Sequence, residues 1–462
     1  MSRLISPVAV RFRVLVVVVG LVASSTSAVS AAVVSTPPNV VVIFTDDQTF
    51  ENQRVMAATN RLLGERGTTF SNAVVNVPVC CPSRATLLTG QHSRNHGVLG
   101  NHWPRGGYAK LDHSNTLATW LDEAGYFTAF TGKFMNEYGA GQVDVSVPPG
   151  WDDWFVHVGA GNIYGGYTIS DDGVAVHFGD TDENYSTDVY GEHAQAVIEQ
   201  AAGDDPFFLM VGTGAPHGAR NQLAQPARRH VGVFDDEPLP VPPSFNERDV
   251  SDKPAAVQEL PRLERRDRAA IRDRYRRRLE SLLAVDELVS DVFAALEATG
   301  EIDNTLVIFT SDNGWLEGQH RIPAGKSRVY EESIRVPLII MGPGFPAGAT
   351  IDVPVSNIDI APTIVAATGA TARRSMDGVS LLDIVSDAAA FSDRHLLVEM
   401  HGSDSFSAVR TSEWIYVENT TGEIELYDLR NDPHQLASRH NDHSVAHVRA
   451  RLAVALALLR GG

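Results

Sequence analysis

Val40-Val41-Val42-Ile43-Phe44, Phe207-Phe208-Leu209-Met210-Val211 and Leu306-Val307-Ile308-Phe309 are runs of β-branched and large apolar residues with no polar position inside them. A strand with one wetted face alternates polar and apolar side chains. A run without alternation has to be covered on both faces, as a parallel sheet is between two helix layers. Phe127–Thr131 and Val336–Met341 give further strands. Helical patterns lie between them: Leu117–Gly125, Asp188–Ala202, and Leu279–Ala298 with Leu282, Leu283, Val285, Leu288, Val289 and Phe293 as its apolar stripe. Strands alternating with helices define an α/β domain with a large, mostly parallel central sheet flanked by helices.

The residues just past each strand bear on function, because open α/β sheets place their sites at the carboxyl ends of strands. The first run ends in Asp46-Asp47, the third in Asp312-Asn313, the Phe127 strand in Lys133, and the Phe207 strand in Ala215-Pro216-His217; Lys326 comes later, in Gly325-Lys326. Taken singly, each has a plainer reading as an acidic turn, a surface lysine or a turn histidine. Together, Asp46, Asp47, Asp312 and Asn313 offer four hard oxygen donors. That set suits Ca²⁺ or Mg²⁺ rather than zinc or copper. Adjacent carboxylates are also costly unless a cation lies between them.

The only two cysteines, Cys80 and Cys81, stand side by side in Cys80-Cys81-Pro82-Ser83-Arg84, which continues to Leu88-Thr89-Gly90. Neighbouring cysteines do not bridge without strain, no third cysteine exists as a partner, and zinc would need more sulfur and imidazole. Pro82 suits the first turn of a helix, and Arg84 stands about one turn from Cys80.

This run resembles the signature of the sulfatase family, Cys-x-Pro-Ser-Arg-x-x-x-Leu-x-Thr-Gly, at every fixed position. Thr45-Asp46-Asp47-Gln48, Gly132-Lys133, Ala215-Pro216-His217, Thr310-Ser311-Asp312-Asn313-Gly314, Gly325-Lys326 and Leu426-Tyr427-Asp428 follow the order of that family. The resemblance implies an alkaline-phosphatase-like sandwich with a smaller C-terminal antiparallel sheet, and a bound cation that is usually calcium, with magnesium second. It implies that Cys80 is oxidised by a separate formylglycine-generating enzyme to formylglycine, whose hydrate serves as nucleophile and metal ligand. Arg84 would steady that hydrate, Lys133 and Lys326 would bind sulfate oxygens, and His217 would lie against the sulfate or the leaving oxygen. Many members carry a histidine two residues after the Gly-Lys lysine; here that place is Met135. Proton delivery then falls to His217 or His320. This variant, with Val147-Pro148-Pro149-Gly150-Trp151 and Glu331-Glu332-Ser333-Ile334-Arg335, is similar to the N-acetylglucosamine-6-sulfatase and heparan endosulfatase branch. The substrate implied is a 6-O-sulfated glucosamine or related glycan sulfate.

Residues 1–32 pair a basic start (Arg3, Arg11, Arg13) with an apolar Val14–Ala23 and a small-residue stretch, the pattern of a signal peptide. The apolar core is short for a bilayer span, so export to a secreted or periplasmic location is expected, with no stable membrane insertion. The net charge of −19 argues against a nucleic-acid partner. Residues 33–370 are expected to form the catalytic domain. Residues 371–462, with short runs such as Leu396–Met400 and Trp414–Glu418 and a terminal helix over Val445–Leu459, are expected to form the C-terminal subdomain.

Residues 220–260 are proline-rich and read as a surface excursion. An arginine-dense stretch runs on from Arg262 to Arg278. It fits either a site for a polyanionic substrate or a solvated helix face paired with Glu264, Asp267, Asp273 and Glu280. Two rival functions stay open from sequence: a phosphodiesterase or phosphonate monoester hydrolase of the same superfamily, and a noncatalytic binder of sulfated glycans with Cys80 unoxidised.

Overall fold

Each apolar run of the sequence is a buried strand of one sheet. The computed structural model describes residues 37–140, 145–159, 161–219, 223–402 and 405–461; the leader expected at 1–32 lies outside the described residues. In chain order the first strands are β1 (Asn39–Thr45), β2 (Thr68–Phe70), β3 (Ala73–Val74), β4 (Phe127–Gly132), β5 (Asp153–His157), β6 (Tyr167–Asp171), β7 (Val174–Phe178) and β8 (Phe207–Gly212). Next come β9 (Thr305–Ser311), β10 (Leu338–Met341), β11 (Ala349–Ile351), β12 (Val355–Ser356), β13 (Leu396–Met400), β14 (Phe406–Arg410), β15 (Trp414–Asn419) and β16 (Ile424–Asp428).

Ten of them form the central sheet in the order β11-β2-β10-β9-β1-β8-β4-β5-β6-β7. The five middle strands, β9 to β5, are parallel, and all residues of β1, β8 and β9 are buried. Side chains of β1 divide by parity, as the pleat requires. Val40, Val42 and Phe44 pack with Trp120, Phe130 and Phe208 on one face. Val41 and Ile43 pack on the other with Val189 and Ile198 of the helix Ser186–Ala201 and with Leu282 and Val292 of the long helix Arg265–Thr299. The lack of alternation in the sequence thus has its cause in two apolar layers.

β6 and β7 form a hairpin that extends the central sheet, with the largely exposed β7 as its edge. The arginine-dense stretch and the apolar helix after it are one 35-residue helix, Arg265–Thr299, entered through a reciprocal cap between Glu264 and Asp267 and closed by Gly300 at φ 80°.

β13 to β16 form a separate antiparallel sheet of four strands in sequence order. Leu397, Val409, Tyr416 and Leu426 face the terminal helix Ala446–Gly461, where Leu452 and Leu456 are fully buried against them. Leu396, Val398, Ala408, Ile415, Val417 and Tyr427 pack the other way, onto Leu316, Ile322, Tyr330 and Ile334 of the main body. Truncating Leu452 to Ala removes the centre of the first cluster. It is expected to cost about 2–5 kcal/mol in denaturant unfolding.

Among the described residues no helix is long and apolar enough to cross a membrane.

Candidate active site

The site begins where β1 and β9 end side by side. Their parallel register sets Thr45 opposite Ser311, so the next residues of both strands emerge together. The Asp312 N–H donates to the Thr45 carbonyl at 3.0 Å. The chain then turns sharply: Asp47 has φ 74°, its N–H donates to Asp312 Oδ1 at 3.1 Å, and the Gln48 N–H donates to Ser311 Oγ at 3.0 Å. Cys80 opens the buried helix Cys80–Thr89 from an extended Val79, with the Cys81 N–H satisfied by Asn101 Oδ1 at 2.9 Å. Gly90, at φ 65°, closes it; a Cβ there would meet the Met376 side chain at 2.9 Å.

These elements bring Cys80 among charges of both signs. Lys326 Nζ donates to Cys80 Sγ at 2.9 Å, and Sγ lies 3.5 Å from Asp46 Oδ1. Arg84 is almost wholly buried; its Nη2 donates to Asp46 Oδ2 at 2.9 Å, its Nε to Asp312 Oδ2 at 2.8 Å, and its Nη1 to the carbonyls of Lys133 and Phe134. Lys133 pairs with Asp46 and Lys326 with Asp47. His217 Nε2 stands 3.8 Å from Asp47 Oδ2. Asn313 Nδ2 donates to Asp47 Oδ1 at 2.6 Å.

Ligand atoms of Asp46, Asp47 and Asp312 lie within 4.8 Å of one another, and so do those of Asp46, Cys80 and His217. Asp47 Oδ2 and Asn313 Oδ1 are buried and accept no hydrogen bond. Orphaned buried acceptors are expensive, and two on adjacent hard-donor residues fit a cation as the missing partner.

Burial and neighbouring charges pull the site in opposite directions; for Asp312, burial and then the Asp46 charge push the carboxyl up to about 6. Burial works against the Asp46 carboxylate, but Lys133, Arg84 and Lys326 hold it well below the usual range. Burial likewise opposes charge on Lys133 and Lys326, and Asp46 and Asp47 outweigh it. For Cys80, burial and then the Asp46 charge push the thiol up to about 12, against the pull of Lys326. A thiol so held is a poor nucleophile in its own right. His217 is lowered by burial and by Lys133, which favours the neutral imidazole.

Of the residues singled out in the sequence, Asp46, Asp47, Cys80, Arg84, Lys133, His217, Asp312, Asn313 and Lys326 come together. His320 does not. Its Nδ1 is 2.7 Å from Glu247 Oε2, its ring stacks 3.9 Å from Tyr330, and its backbone N–H donates to the Ser244 carbonyl. Positive φ angles at His320 (51°), Arg321 (64°) and Gly325 (141°) bend the loop, so that Lys326 reaches Cys80 while His320 is tied to the 244–247 segment. Among the described residues no contact joins His320, expected as an alternative proton donor, to Cys80 or its charged neighbours. Met135 is buried in the apolar layer beneath the sheet and presents no group to replace the missing histidine.

One residue was assigned to the wrong place by sequence. Arg278 counted as part of a basic stretch, yet it is buried behind the site. Its Nη2 donates to the Asp47 carbonyl and its Nη1 to the Pro216 carbonyl at 3.1 Å, while Glu317 Oε1 lies 3.2 Å from its Nε. It therefore holds both the Asp47 turn and the approach to His217. The signal that could have found it was helical phase: Arg278 falls on the same side as Ile271, Tyr275 and Leu282. Arg278→Met strands Glu317 without its cation and is expected to cost about 3–5 kcal/mol, seen as a lower melting temperature.

The sulfatase family model matches residues 38–370, and the C-terminal model of N-sulphoglucosamine sulphohydrolase matches residues 318–461. The chain belongs to the sulfatase family, the sulfuric ester hydrolases, whose members are typically metal-dependent. Among its relatives, an arylsulfatase of Volvox carteri is 33% identical over 90% of this chain and 73% of its own length. The human N-acetylglucosamine-6-sulfatase is 35% identical over 78% of this chain and 66% of its own length. A solved structure described as in complex with its substrate D-glucosamine-2-N,6-O-disulfate shares the fold, with a TM-score of 0.79 at 24% identity, covering 92% of this chain and 98% of the other.

Proposed function

We propose that this chain hydrolyses the sulfate monoester of a sugar, with a 6-O-sulfated N-acetylglucosamine or related glycosaminoglycan unit as substrate. The observation that carries the chemistry is Cys80 Sγ at 2.9 Å from Lys326 Nζ and 3.5 Å from Asp46 Oδ1, beside two orphaned buried oxygens. The human relative named for N-acetylglucosamine-6-sulfatase supports the substrate class. We read residues 33–370 as the catalytic domain, 371–462 as the C-terminal subdomain, and 1–32 as a signal peptide removed on export to a secreted or periplasmic location.

In this reading Cys80 is converted to formylglycine by a formylglycine-generating enzyme, and the aldehyde works as its hydrate. One hydroxyl, already ionised, attacks sulfur, the bond from sulfur to the sugar oxygen breaks, and the alcohol leaves with a proton from His217. The negative charge of the bound ester brings that side chain into its imidazolium form against the lowering shown in the free site. The second hydroxyl then gives up its proton to the neutral imidazole of His217, the bond from carbon to the sulfate oxygen breaks, inorganic sulfate departs, and water adds to the returned aldehyde to restore the hydrate. Lys133 and Lys326 share the negative charge of the sulfate oxygens. Arg84, spent on Asp46, Asp312 and two carbonyls, fixes the carboxylates around residue 80. Asp46, Asp47, Asp312 and Asn313, with the oxygen at residue 80, would hold Ca²⁺; Mg²⁺, which keeps more of its own water, suits such a protein cage less well. When bound, the cation supplies positive charge for an ester oxygen and for an ionised hydroxyl.

Release of sulfate from N-acetylglucosamine 6-sulfate, set beside hydrolysis of a phosphodiester, tests this reading. Preference for the phosphodiester by orders of magnitude contradicts it. His217→Ala is expected to slow sulfate release from a sugar alcohol by roughly 10²–10⁴-fold. An aryl sulfate, whose leaving oxygen needs no proton, is expected to lose far less. Equal losses on both substrates remove His217 from that role.

A further inference from the structure

The first half of the long helix carries a feature the catalytic site does not use. Arg265, Arg268, Arg272 and Arg276 recur at three- and four-residue spacing, which puts them on one stripe of the helix. They extend over roughly 16 Å of its length. With Leu239 and Val241 they line a groove of 550 Å³ that contains no carboxylate among its lining residues. Arg272 and Arg276 also line an adjoining groove of 210 Å³, which Asp235, Asp273 and Glu280 enter.

Several of the acids near the stripe have other partners. Glu264 and Asp267 both lie beside Arg266, at 3.4 and 3.8 Å. Asp273 pairs with Arg277 at 3.3 Å, and Glu237 with Arg54 at 2.6 Å. Glu280 accepts the N–H groups of Gly232 and Phe234. Arg276 donates to a backbone carbonyl, that of Glu237, and Arg268 lies over the Phe245 ring at 5.4 Å. Among the described residues, none of the four arginines has a carboxylate partner. In a chain of net charge −19, four guanidiniums with no ion pair on one stripe are a local concentration of positive charge.

We propose that this stripe is a binding site for an extended, oligosulfated glycan chain, separate from the catalytic pocket. The site rests on the sulfated-sugar reading of the active centre and deepens it to chains rather than single sugars. Guanidiniums spread over such a length cannot all be met by one sulfate, whereas sulfates recurring along a chain can meet each in turn. Single-stranded nucleic acid would bring the same charge. It also wants aromatic platforms for its bases, and the groove is lined by aliphatic side chains and arginine stems. The stripe lies on a different side of the helix from Arg278, which touches the site. It therefore acts by retaining a polymer near the enzyme, not by holding the sugar being cut.

The test uses the full chain and the triple variant Arg265→Ala/Arg268→Ala/Arg272→Ala. Binding of a fluorescent, fully sulfated glycan octasaccharide is followed across salt concentrations, and turnover is measured on N-acetylglucosamine 6-sulfate. The variant is expected to bind the octasaccharide at least tenfold more weakly at low salt. The slope of log affinity against log salt is expected to flatten by about one for each arginine lost. Turnover of the monosaccharide is expected to be unchanged, and the triple Arg→Lys variant to keep most of the octasaccharide affinity. Unchanged octasaccharide binding in the alanine variant overturns the proposal. So does an oligothymidylate that binds as tightly and is lost in the same variant. A wild-type protein that binds the octasaccharide through the stripe yet releases no sulfate from any ester would instead overturn the catalytic reading and leave the groove standing.

Discussion

Replacing Cys80 by Ser is expected to leave a folded protein that completes no more than a single turnover, with the steady-state rate down by roughly 10³-fold or more. The side chain keeps its size, and its neighbours are polar: Lys326 Nζ at 2.9 Å and Asp46 Oδ1 at 3.5 Å both accommodate a hydroxyl. A hydroxyl in that place can take up sulfate once. It has no second hydroxyl on the same carbon, so nothing expels the sulfate except slow attack by water. Rapid-quench measurement of sulfate transfer, with mass spectrometry of the trapped ester, checks this. Steady turnover by the serine variant at near the normal rate would remove the need for an aldehyde.

Asp47→Asn is expected to have the second-largest effect, through the metal. Asp47 sits at φ 74°, a conformation asparagine tolerates well, so the backbone turn survives the change. The amide oxygen can still accept from Asn313 Nδ2, now at 2.6 Å, and from Lys326, but one negative charge disappears from the cluster of Asp46, Asp47 and Asp312, and with it the ion pair to Lys326. In chelator-treated wild-type protein, calcium at a hundred times its dissociation constant is expected to add about 2.7 kcal/mol of stability, read as a rise in melting temperature. The variant is expected to show little of that rise and to lose sulfate release by roughly 10²–10³-fold. Equal stabilisation of both proteins by calcium would take Asp47 out of the ligand set. At Asp312 the pair broken is with Arg84, whose Nε its Oδ2 receives, and an alanine there also removes the oxygen that an amide keeps.

The sheet was legible because its central strands are buried on both faces, and a run such as Val40–Phe44 has no other stable use. The cluster at the strand ends was legible for the same reason: once β1 and β9 are neighbours in parallel register, Asp46, Asp47, Asp312 and Asn313 emerge at one edge. His320 shows where that reasoning stops. Its sequence distance from Lys326 is small, yet the loop between them turns through positive φ angles that no composition rule predicts, and Glu247 takes the imidazole. Arg278 and Arg268 show the complementary limit. They look alike in sequence, but helical phase buries one against Asp47 and leaves the other over Phe245 at the rim of an open groove. The acids that might have paired the exposed arginines could be counted in the sequence; which cation each one chose depended on tertiary contacts such as Glu237 with Arg54.

The most direct measurement is the chemical state of residue 80 in protein produced with a formylglycine-generating enzyme, read by mass spectrometry of the peptide containing Cys80-Cys81-Pro82-Ser83-Arg84 across preparations converted to different extents. The expected result is an aldehyde at residue 80, reactive toward a hydrazide, with Cys81 still a thiol and sulfate release rising in proportion to the converted fraction. Full sulfatase activity in a preparation whose residue 80 is entirely thiol would contradict the account.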